Sequence, residues 1–178
     1  MVGFYENIPK SWEITTLGNV GKWISGATPK KARKDYYRNG TILWLKTGDL
    51  HDEYITKIPD SITELALKET SVKLIPADTV VIAMYGATIG KCGITTFETT
   101  SNQACCACLS SPQIDRGFLF HYLLSYRKQF IDVAFGGTQP NISKEKIIAT
   151  VFRLPPYKEQ LRIVESIIEI QYNIHQLA

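Results

Sequence analysis

The segment at residues 30–38 contains the side chains best suited to bind an anion. It places five cations and two neighbouring tyrosines within nine positions, at Lys30, Lys31, Arg33, Lys34, Arg38, Tyr36 and Tyr37. Cations suit a phosphate backbone, and aromatic rings between them suit a base or a sugar face. Charge runs are also commonly solvated loops. The segment therefore predicts either a nucleic-acid contact or a solvated loop with two half-packed tyrosines.

Two glycine-containing turns offer further polar side chains. Residues 86–91 form a tight turn that presents Thr88 and Lys91. Residues 136–141 read Gly-Gly-Thr-Gln-Pro-Asn, and such a loop cannot bury itself because its polar groups need partners. We therefore expect this second loop to face water or a polar ligand.

The spacing of the reactive residues argues against the common catalytic and metal sites. The turn at residues 86–91 is one residue short of a phosphate loop, and Cys92 stands where Ser or Thr would meet a metal. His51, His121 and His175 are far apart and lie beside no cysteine pair, which leaves no zinc pattern. A nucleophilic pair of Cys106 and His121 is disfavoured because an apolar strand opposes thiolate formation. We predict a binding module that uses no metal and no cofactor.

Local signals place these segments in a mixed fold. Strands are predicted at residues 42–45, 54–58, 79–84, 92–94, 102–109 and 151–154, with residues 79–84 as the central strand. Helices are predicted at residues 17–24 (capped by Thr16), from Ser61 or Thr63 through residue 67, at 115–134, and after Ser143. This order lacks a regular βαβ rhythm, which favours an α+β domain over a doubly wound one.

Pro155 and Pro156 predict the start of a final helix. One apolar line has the spacing of a coiled-coil seam and contains Ile163, Ile167, Ile170, Ile174 and Leu177. A second apolar face contains Tyr157, Leu161, Val164 and Ile168. Two apolar faces need two covering surfaces. Either the seam pairs with a helix from elsewhere, or both faces pack within one domain.

The bulk properties fit one globular domain, residues 1–154, followed by a helical appendage at residues 155–178. The chain has 178 residues, 44% of them hydrophobic, and 20 Lys and Arg against 17 Asp and Glu. Four cysteines, at positions 92, 105, 106 and 108, are expected to be reduced and core-facing. No apolar run approaches the ~20 residues of a membrane span and no signal peptide is evident, so we expect a cytoplasmic protein with no membrane contact.

Four short motifs follow one another along nearly the whole chain. They are WxxxxLG at residues 12–18; GATP at 26–29 with ILWLKTGDL at 42–50; GATIGK at 86–91 with NQA at 102–104; and GTQPNIS at 137–143 with LPPxxEQxRI at 154–163. Their order and spacing resemble the target recognition domain of a type I restriction-modification specificity subunit.

The resemblance implies a single mixed-sheet α+β domain with a DNA-facing cleft, similar to the DNA-recognition domain of certain adenine methyltransferases. The helix after the double proline would begin a spacer helix that pairs antiparallel with another. Members of the family usually contain two such domains and two long spacer helices, which recognise the two halves of a split asymmetric target. This chain holds one domain and about one truncated helix, so it is a natural half-subunit, a fragment or a truncated gene product. A half-subunit would dimerise and recognise a symmetric target.

The resemblance also implies partners and a binding surface. The chain would bind double-stranded DNA and position separate modification (methyltransferase) and restriction (endonuclease and translocase) subunits, doing no chemistry itself. Lys30, Lys31, Arg33 and Lys34 would contact phosphates. The base-facing side would hold Tyr36, Tyr37, Lys46, Thr88, Lys91, Thr138, Gln139 and Asn141.

Two alternatives remain open. Thr138, Gln139 and Asn141 could instead only close their loop against the spacer helix, because Asn and Gln in turns commonly bond local backbone. The rival function for the whole chain is a protein-interaction or assembly half-subunit that acts mainly through its C-terminal helix.

Overall fold

The computed structural model describes residues 8–134 and 141–177. Its strands are β1 (Glu13–Thr16), β2 (Gly21–Ser25), β3 (Ile42–Leu45), β4 (Glu53–Ile55), β5 (Ser61–Ile62), β6 (Val80–Ala83), β7 (Cys92–Thr95), β8 (Thr100–Ser101), β9 (Cys105–Ser110) and β10 (Val151–Leu154). Its helices are α1 (Glu64–Glu69), α2 (Arg116–Ser125), α3 (Arg127–Ala134), α4 (Lys144–Ile148) and α5 (Tyr157–Gln176). We call residues 13–134 and 141–154 the main body.

A five-stranded sheet of order β2-β9-β6-β7-β4 forms the centre of the main body. Strand β6 is its middle strand and is buried along its whole length, as the β-branched run at residues 79–84 predicts. Val80 and Ile82 face one hydrophobic cluster, while Val81 and Ala83 face another. The sheet is antiparallel except for the β4–β7 pair, so it is mixed.

Helix α2 covers one face of this sheet and contributes Phe118, Leu119 and Leu123 to the larger cluster. The other face packs on residues that include Leu45, Leu50 and Ile75. A smaller sheet of order β5-β3-β8 extends from that side, and its own cluster contains Trp44, Ile62 and Ala66. The mixed order of strands and helices is the α+β arrangement predicted from the sequence.

Several local predictions are confirmed. Thr63 caps α1 and Ser143 caps α4, each accepting a backbone N–H at 3.3 Å. Asp115 caps α2 by accepting the N–H of Phe118 at 2.9 Å. Strand β10 lies as predicted and pairs antiparallel with β1, a strand that the sequence did not predict. The prolines at 155 and 156 precede α5 as expected.

The helix predicted at residues 17–24 is wrong. A single 3-10 turn at Leu17–Asn19 is followed by β2, which pairs with β9 so that Trp23 opposes Cys108 and Ile24 opposes Ala107. Trp23 and Ile24 point to opposite faces of the sheet and enter different hydrophobic clusters. Long-range strand pairing therefore overrides the local apolar spacing.

The helix predicted at residues 115–134 is two helices. The N–H of Tyr126 is shared between the carbonyls of Tyr122 and Leu123, each 3.2 Å away, and the helix breaks there. The rings of Tyr122 and Tyr126 still stack at 4.9 Å. Because the apolar spacing continues through the break, the sequence pattern does not mark it.

Helix α5 packs on the main body mainly along its first half. Ile163 and Val164 contact the larger hydrophobic cluster, and Ile167 is half-buried. Ile170, Ile174 and Leu177 are 58%, 62% and 89% exposed. The predicted seam is therefore not one free face, because Ile163 packs on the chain's own main body and Ile167 is half-buried. Among the described residues, no helix combines the length and apolarity needed to cross a membrane.

Candidate nucleic-acid interface

Loops that carry several predicted binding residues meet at one end of the central sheet. Strands β2 and β6 end there and β9 begins there, because Ser25 pairs with Cys106 and Ala83 pairs with Cys105. We call this end the rim. It comprises residues 26–29, 46–47, 85–91, 102–104 and 141.

Backbone hydrogen bonds hold the rim segments together. The N–H of Ala27 donates to the carbonyl of Ser101 at 2.9 Å, and the N–H of Asn102 donates to the carbonyl of Leu45 at 2.9 Å. The second bond places Lys46 beside Asn102. A Cβ on Gly26 would lie 2.1 Å from the carbonyl oxygen of Asn102, so the close approach of these loops requires glycine.

The loop before α4 also reaches the rim. Asn141 forms an isolated β-bridge with Tyr85, and the N–H of Ile142 donates to the carbonyl of Met84 at 2.9 Å. Both Tyr85 and Asn141 are exposed. Thr138 and Gln139, which were assigned to the base-facing side, lie outside the described residues.

Helix α3 holds the turn at residues 86–91 from its inner side. Arg127 Nε donates to the carbonyl of Gly90 at 3.0 Å, and Arg127 Nη2 donates to Asp52 Oδ1 at 2.5 Å. The same carboxylate oxygen accepts the N–H of Cys92 at 3.0 Å. Gly86 and Gly90 have φ angles of 64° and 78°, which favour glycine. No local sequence signal marks Arg127 or Asp52 as site residues, because their pairing spans 75 positions.

Several rim side chains already have local partners. The Thr88 hydroxyl donates to the carbonyl of Tyr85 at 2.9 Å, and the Thr28 hydroxyl donates to Gln103 Oε1. Gln103 itself is exposed, and among the described residues no acceptor is bonded to its amide nitrogen. Gln103 stood within a motif at residues 102–104 but was not predicted as a binding residue. Lys91 is half-buried at the end of its turn.

Within the basic segment, Arg33 and Tyr36 are engaged internally. Arg33 Nη2 lies 2.6 Å from Asp35 Oδ2 and 3.3 Å from Glu69 Oε2, and its guanidinium stacks 4.4 Å above the Tyr36 ring. The hydrogen bond between Arg33 and Asp35 raises the pKa of the arginine and lowers that of the carboxyl. Tyr36 is buried and donates to Glu69 Oε2 at 2.9 Å, which raises its pKa. These contacts favour a structural role for both residues.

Lys31 and Lys34 of this segment border a groove of about 290 Å³. It is lined by Lys31, Lys34, Tyr37, Trp44, Lys46 and Asp60. Lys46 Nζ lies 2.6 Å from Asp60 Oδ2, whereas Lys30, Lys31 and Lys34 are exposed and form no ion pair with any described residue. Trp44 Nε1 donates to the carbonyl of Ala27 at 3.1 Å, so the groove adjoins the rim. We call it the basic groove.

The four cysteines lie in the core. Burial raises the pKa of Cys106 and Cys108 to about 12 and also raises the pKa of Cys92 and Cys105. Burial lowers the pKa of His121. Within the part of the chain that the structure describes, no three His, Cys, Asp or Glu side chains converge as a metal site.

The sequence itself matches a known family. Residues 9–176 fit the model of the type I restriction modification DNA specificity domain. The chain belongs to this family. The resemblance drawn from the four motifs is therefore confirmed.

Relatives within the family are specificity subunits of type I restriction enzymes. The EcoR124I/EcoR124II specificity subunit of Escherichia coli is 30% identical over 158 residues, which cover 86% of this chain and 39% of the relative. The HindI specificity subunit of Haemophilus influenzae is 27% identical over 162 residues, covering 89% of this chain and 35% of the relative. The chain thus spans about two fifths of the length of these relatives.

Solved structures share the fold. The HsdS subunit from Thermoanaerobacter tengcongensis superposes with a TM-score of 0.77 at 20% identity, over 97% of this chain and 40% of that one. A chain from a study of complex assembly and conformational transition of the type I R-M system gives a TM-score of 0.78 at 21% identity, over 97% and 41%. These likenesses identify the mixed α+β fold with its C-terminal helix as that of the specificity-subunit domains.

Proposed function

We propose that this chain is a DNA-specificity subunit of a type I restriction-modification system, or one part of such a subunit. It recognises one half of a split target in double-stranded DNA through the rim and the basic groove. The observation that carries the proposal is the convergence of segments from three of the four family motifs at one end of the central sheet. Lys30, Lys31 and Lys34 lie next to these segments and have no acidic partners among the described residues. This arrangement suits DNA because phosphates require cations and base edges require polar side chains.

The contacts divide between the two surfaces. Lys30, Lys31 and Lys34 bind phosphates, since no described carboxylate competes for their charge. Base edges face Gln103 and Asn141, with Lys46, Thr88 and Lys91 beside them and with Thr138 and Gln139 as further candidates. Asn and Gln suit adenine edges and Lys suits guanine, at about 1–3 kcal/mol of discrimination for each good contact. Tyr37, which lines the basic groove, remains a candidate for base contacts. Arg33 and Tyr36 instead stabilise residues 30–38 through their contacts with Asp35 and Glu69.

The proposed target recognition assigns separate roles to the two parts of the chain. Residues 1–154 form the recognition domain, and residues 155–178 begin a spacer helix that pairs in a coiled coil with another helix. The chain performs no chemistry and positions a modification subunit and a restriction subunit on the cytoplasmic DNA. If the chain acts as a half-subunit, two copies related by a two-fold axis recognise a symmetric split site.

A second candidate function is assembly through α5 alone. The observation that favours it is the exposure of Ile170, Ile174 and Leu177, which lie along one side of α5 with no cover among the described residues. In this case the chain competes for partner helices and its rim contributes nothing to affinity.

A salt titration separates the two functions. Labelled duplexes of mixed sequence are titrated at several salt concentrations with the parent chain and with Lys30→Ala/Lys31→Ala/Lys34→Ala. The slope of log K against log salt is negative, and each lost phosphate contact makes it shallower by about 0.9, so the slope of the triple variant should be shallower by roughly 2–3 units.

The matched control removes the same charge at the opposite end of the fold. Lys10→Ala/Lys22→Ala/Lys158→Ala changes three exposed lysines near the start of β1, the start of β2 and the start of α5. It should keep the parent slope. Equal slopes for all three proteins would contradict the phosphate contacts and favour the assembly function.

A further inference from the structure

Gln160 is an unusual residue for the first turn of an exposed helix. It is 1% exposed, and it is the one fully buried residue among the twenty described residues of α5. Its Oε1 accepts the N–H of Asp115 at 2.8 Å. Its Nε2 donates to the carbonyls of Gln113 and Pro155, each at 3.0 Å.

This site requires the glutamine amide group. The side chain supplies one acceptor and two donors, and all three find backbone partners. Glutamate of the same size lacks both donors when ionised, and leucine lacks all three groups. Either replacement leaves buried backbone groups unpaired, which is costly.

The three backbone partners join two connections of the chain. Gln113 and Asp115 lie between β9 and α2, whereas Pro155 lies between β10 and α5. Gln160 thus ties the start of α5 to the start of α2. Helix α5 has no side-chain cap at Pro156, so this tie is its first fixed point.

A second fixed point lies one helical turn further on. A Cβ on Gly117 would lie 3.1 Å from Val164 Cγ1, so the two helices approach closely there. Gln160 and Val164 are about 6 Å apart along the helix axis. Two points at this separation define a direction, and the later turns of α5 are mostly exposed.

The backbone groups that Gln160 contacts and the rim lie at opposite ends of strand β9. Strand β9 starts at Cys105 beside the rim and ends at Ser110, just before Gln113. Its six residues span about 20 Å. A change at Gln160 should therefore leave the rim intact.

We propose that Gln160 is the positioning residue that fixes the direction in which α5 leaves the main body. Its functional consequence rests on the proposed function: the direction of α5 sets where a second recognition domain or a modification subunit sits relative to the rim. Gln160 thereby acts on the geometry of the assembly and not on the affinity of the rim for DNA.

Distances between paired spin labels test this directly in the full chain. One label is placed at Asn173→Cys in α5 and the other at Lys73→Cys in the main body, both exposed positions. The four native cysteines are at most 1% exposed, so the labels attach at the introduced sites. A second pair, Lys73→Cys with Gln129→Cys, lies within the main body and serves as the internal reference.

The expected result is a changed helix direction in Gln160→Leu and Gln160→Glu. Residue 173 lies about 20 Å along the axis from residue 160, so a tilt of about 15° moves it by about 5 Å. The Lys73–Asn173 distribution should shift or broaden on that scale, while the Lys73–Gln129 distribution stays unchanged. Gln176→Leu, a matched change at the exposed end of the helix, should match the parent.

Two further readouts separate positioning from simple loss of structure. In Gln160→Glu, a buried carboxyl becomes protonated as the pH falls and regains one donor, so its distribution at pH 5 should be narrower than at pH 8. DNA affinity of Gln160→Leu in the salt titration should equal that of the parent. If the parent fails to bind DNA, the proposed function fails while the distances still decide the role of Gln160. Parent-like distances in both Gln160 variants would overturn the inference.

Discussion

Arg127 Nη2 lies 2.5 Å from Asp52 Oδ1, and this pair ties α3 to the base of the turn at residues 86–91. Asp52 has a φ of 66°, which is uncommon for a residue other than glycine. Backbone in sparsely populated conformations persists where surrounding contacts hold it, and it clusters at functional sites. The pair therefore supports a rim turn that is held in place before any ligand arrives.

Removing Arg127 should destabilise the chain. Arg127→Ala leaves the carbonyl of Gly90 and the Asp52 carboxylate without the charged donor, at an expected loss of about 1–3 kcal/mol in the free energy of unfolding by urea. The control is Arg116→Ala, which removes a more exposed pair with Asp78 at 3.3 Å and should cost less than about 1 kcal/mol. Equal losses in the two variants would contradict the importance of the Arg127–Asp52 contact.

Three glycine substitutions should rank by conformation and space. Gly90→Ala combines a φ of 78° with a contact of 2.8 Å to Arg127 Cγ, so it should cost more than about 2 kcal/mol. Gly86→Ala has a φ of 64° but open space, and should cost about 1–2 kcal/mol. Gly48→Ala has open space and no positive φ, so its effect should stay within about 0.5 kcal/mol. Urea midpoints at pH 7 measure the order, and a Gly48 variant as unstable as the Gly90 variant would contradict it.

The buried thiols should make the fold sensitive to alkali. An unfolded thiol ionises near pH 8.5, whereas burial raises the pKa of Cys106 and Cys108 to about 12. Above pH 8.5 the folded state holds more protons than the unfolded state, so the free energy of unfolding falls as pH rises from about 9 to 12. Urea titrations across this range measure the decline.

Reaction with a chromogenic thiol reagent tests whether the four cysteine thiols are buried. At pH 8 the native chain should react slowly at all four cysteines, and it should react fully in denaturant. Rapid reaction of the folded chain, together with a flat alkaline profile, would contradict a core location for the thiols.

The exposed part of α5 should mediate association. Ile170→Glu/Ile174→Glu places charges at positions that are 58% and 62% exposed, so monomer stability should be retained. Sedimentation should show a smaller mass than for the parent if these residues meet another helix. Glu169→Gln/Asn173→Asp serves as a polar control on the same turns. A parent that sediments as a monomer, or an unchanged mass in the Ile variant, would contradict association through this surface.

Local signals predicted much of this fold. Caps at Thr63 and Ser143, the prolines before α5 and the β-branched run of β6 each depend on neighbours in sequence. The secondary structure that was predicted wrongly belongs to residues that depend on distant partners. Trp23 and Ile24 form a strand because β9 lies beside them, more than eighty positions later in the chain.

The candidate site likewise combines features that local sequence predicts with features that depend on distant residues. Its motifs at residues 86–91 and 102–104 were visible in the sequence, but their meeting at the rim depends on strand pairing. The sequence predicts Tyr36 as an aromatic side chain for bases, and its burial and its hydrogen bond to Glu69 depend on a residue 33 positions away. Gln160 stood within a motif, yet its role requires the carbonyl of Gln113, 47 positions before it.

We propose that the rim specifies the DNA sequence that the system modifies, and adenine methylation in the host tests this proposal most directly. Adenine methylation is sequenced genome-wide in cells that carry the parent gene, a deletion, Gln103→Ala/Lys46→Ala, or the control Lys10→Ala/Lys22→Ala. We expect one methylated motif to disappear in the deletion, to be reduced or altered in the rim variant, and to persist in the control. An identical set of methylated motifs in the parent, the deletion and the rim variant would contradict the account.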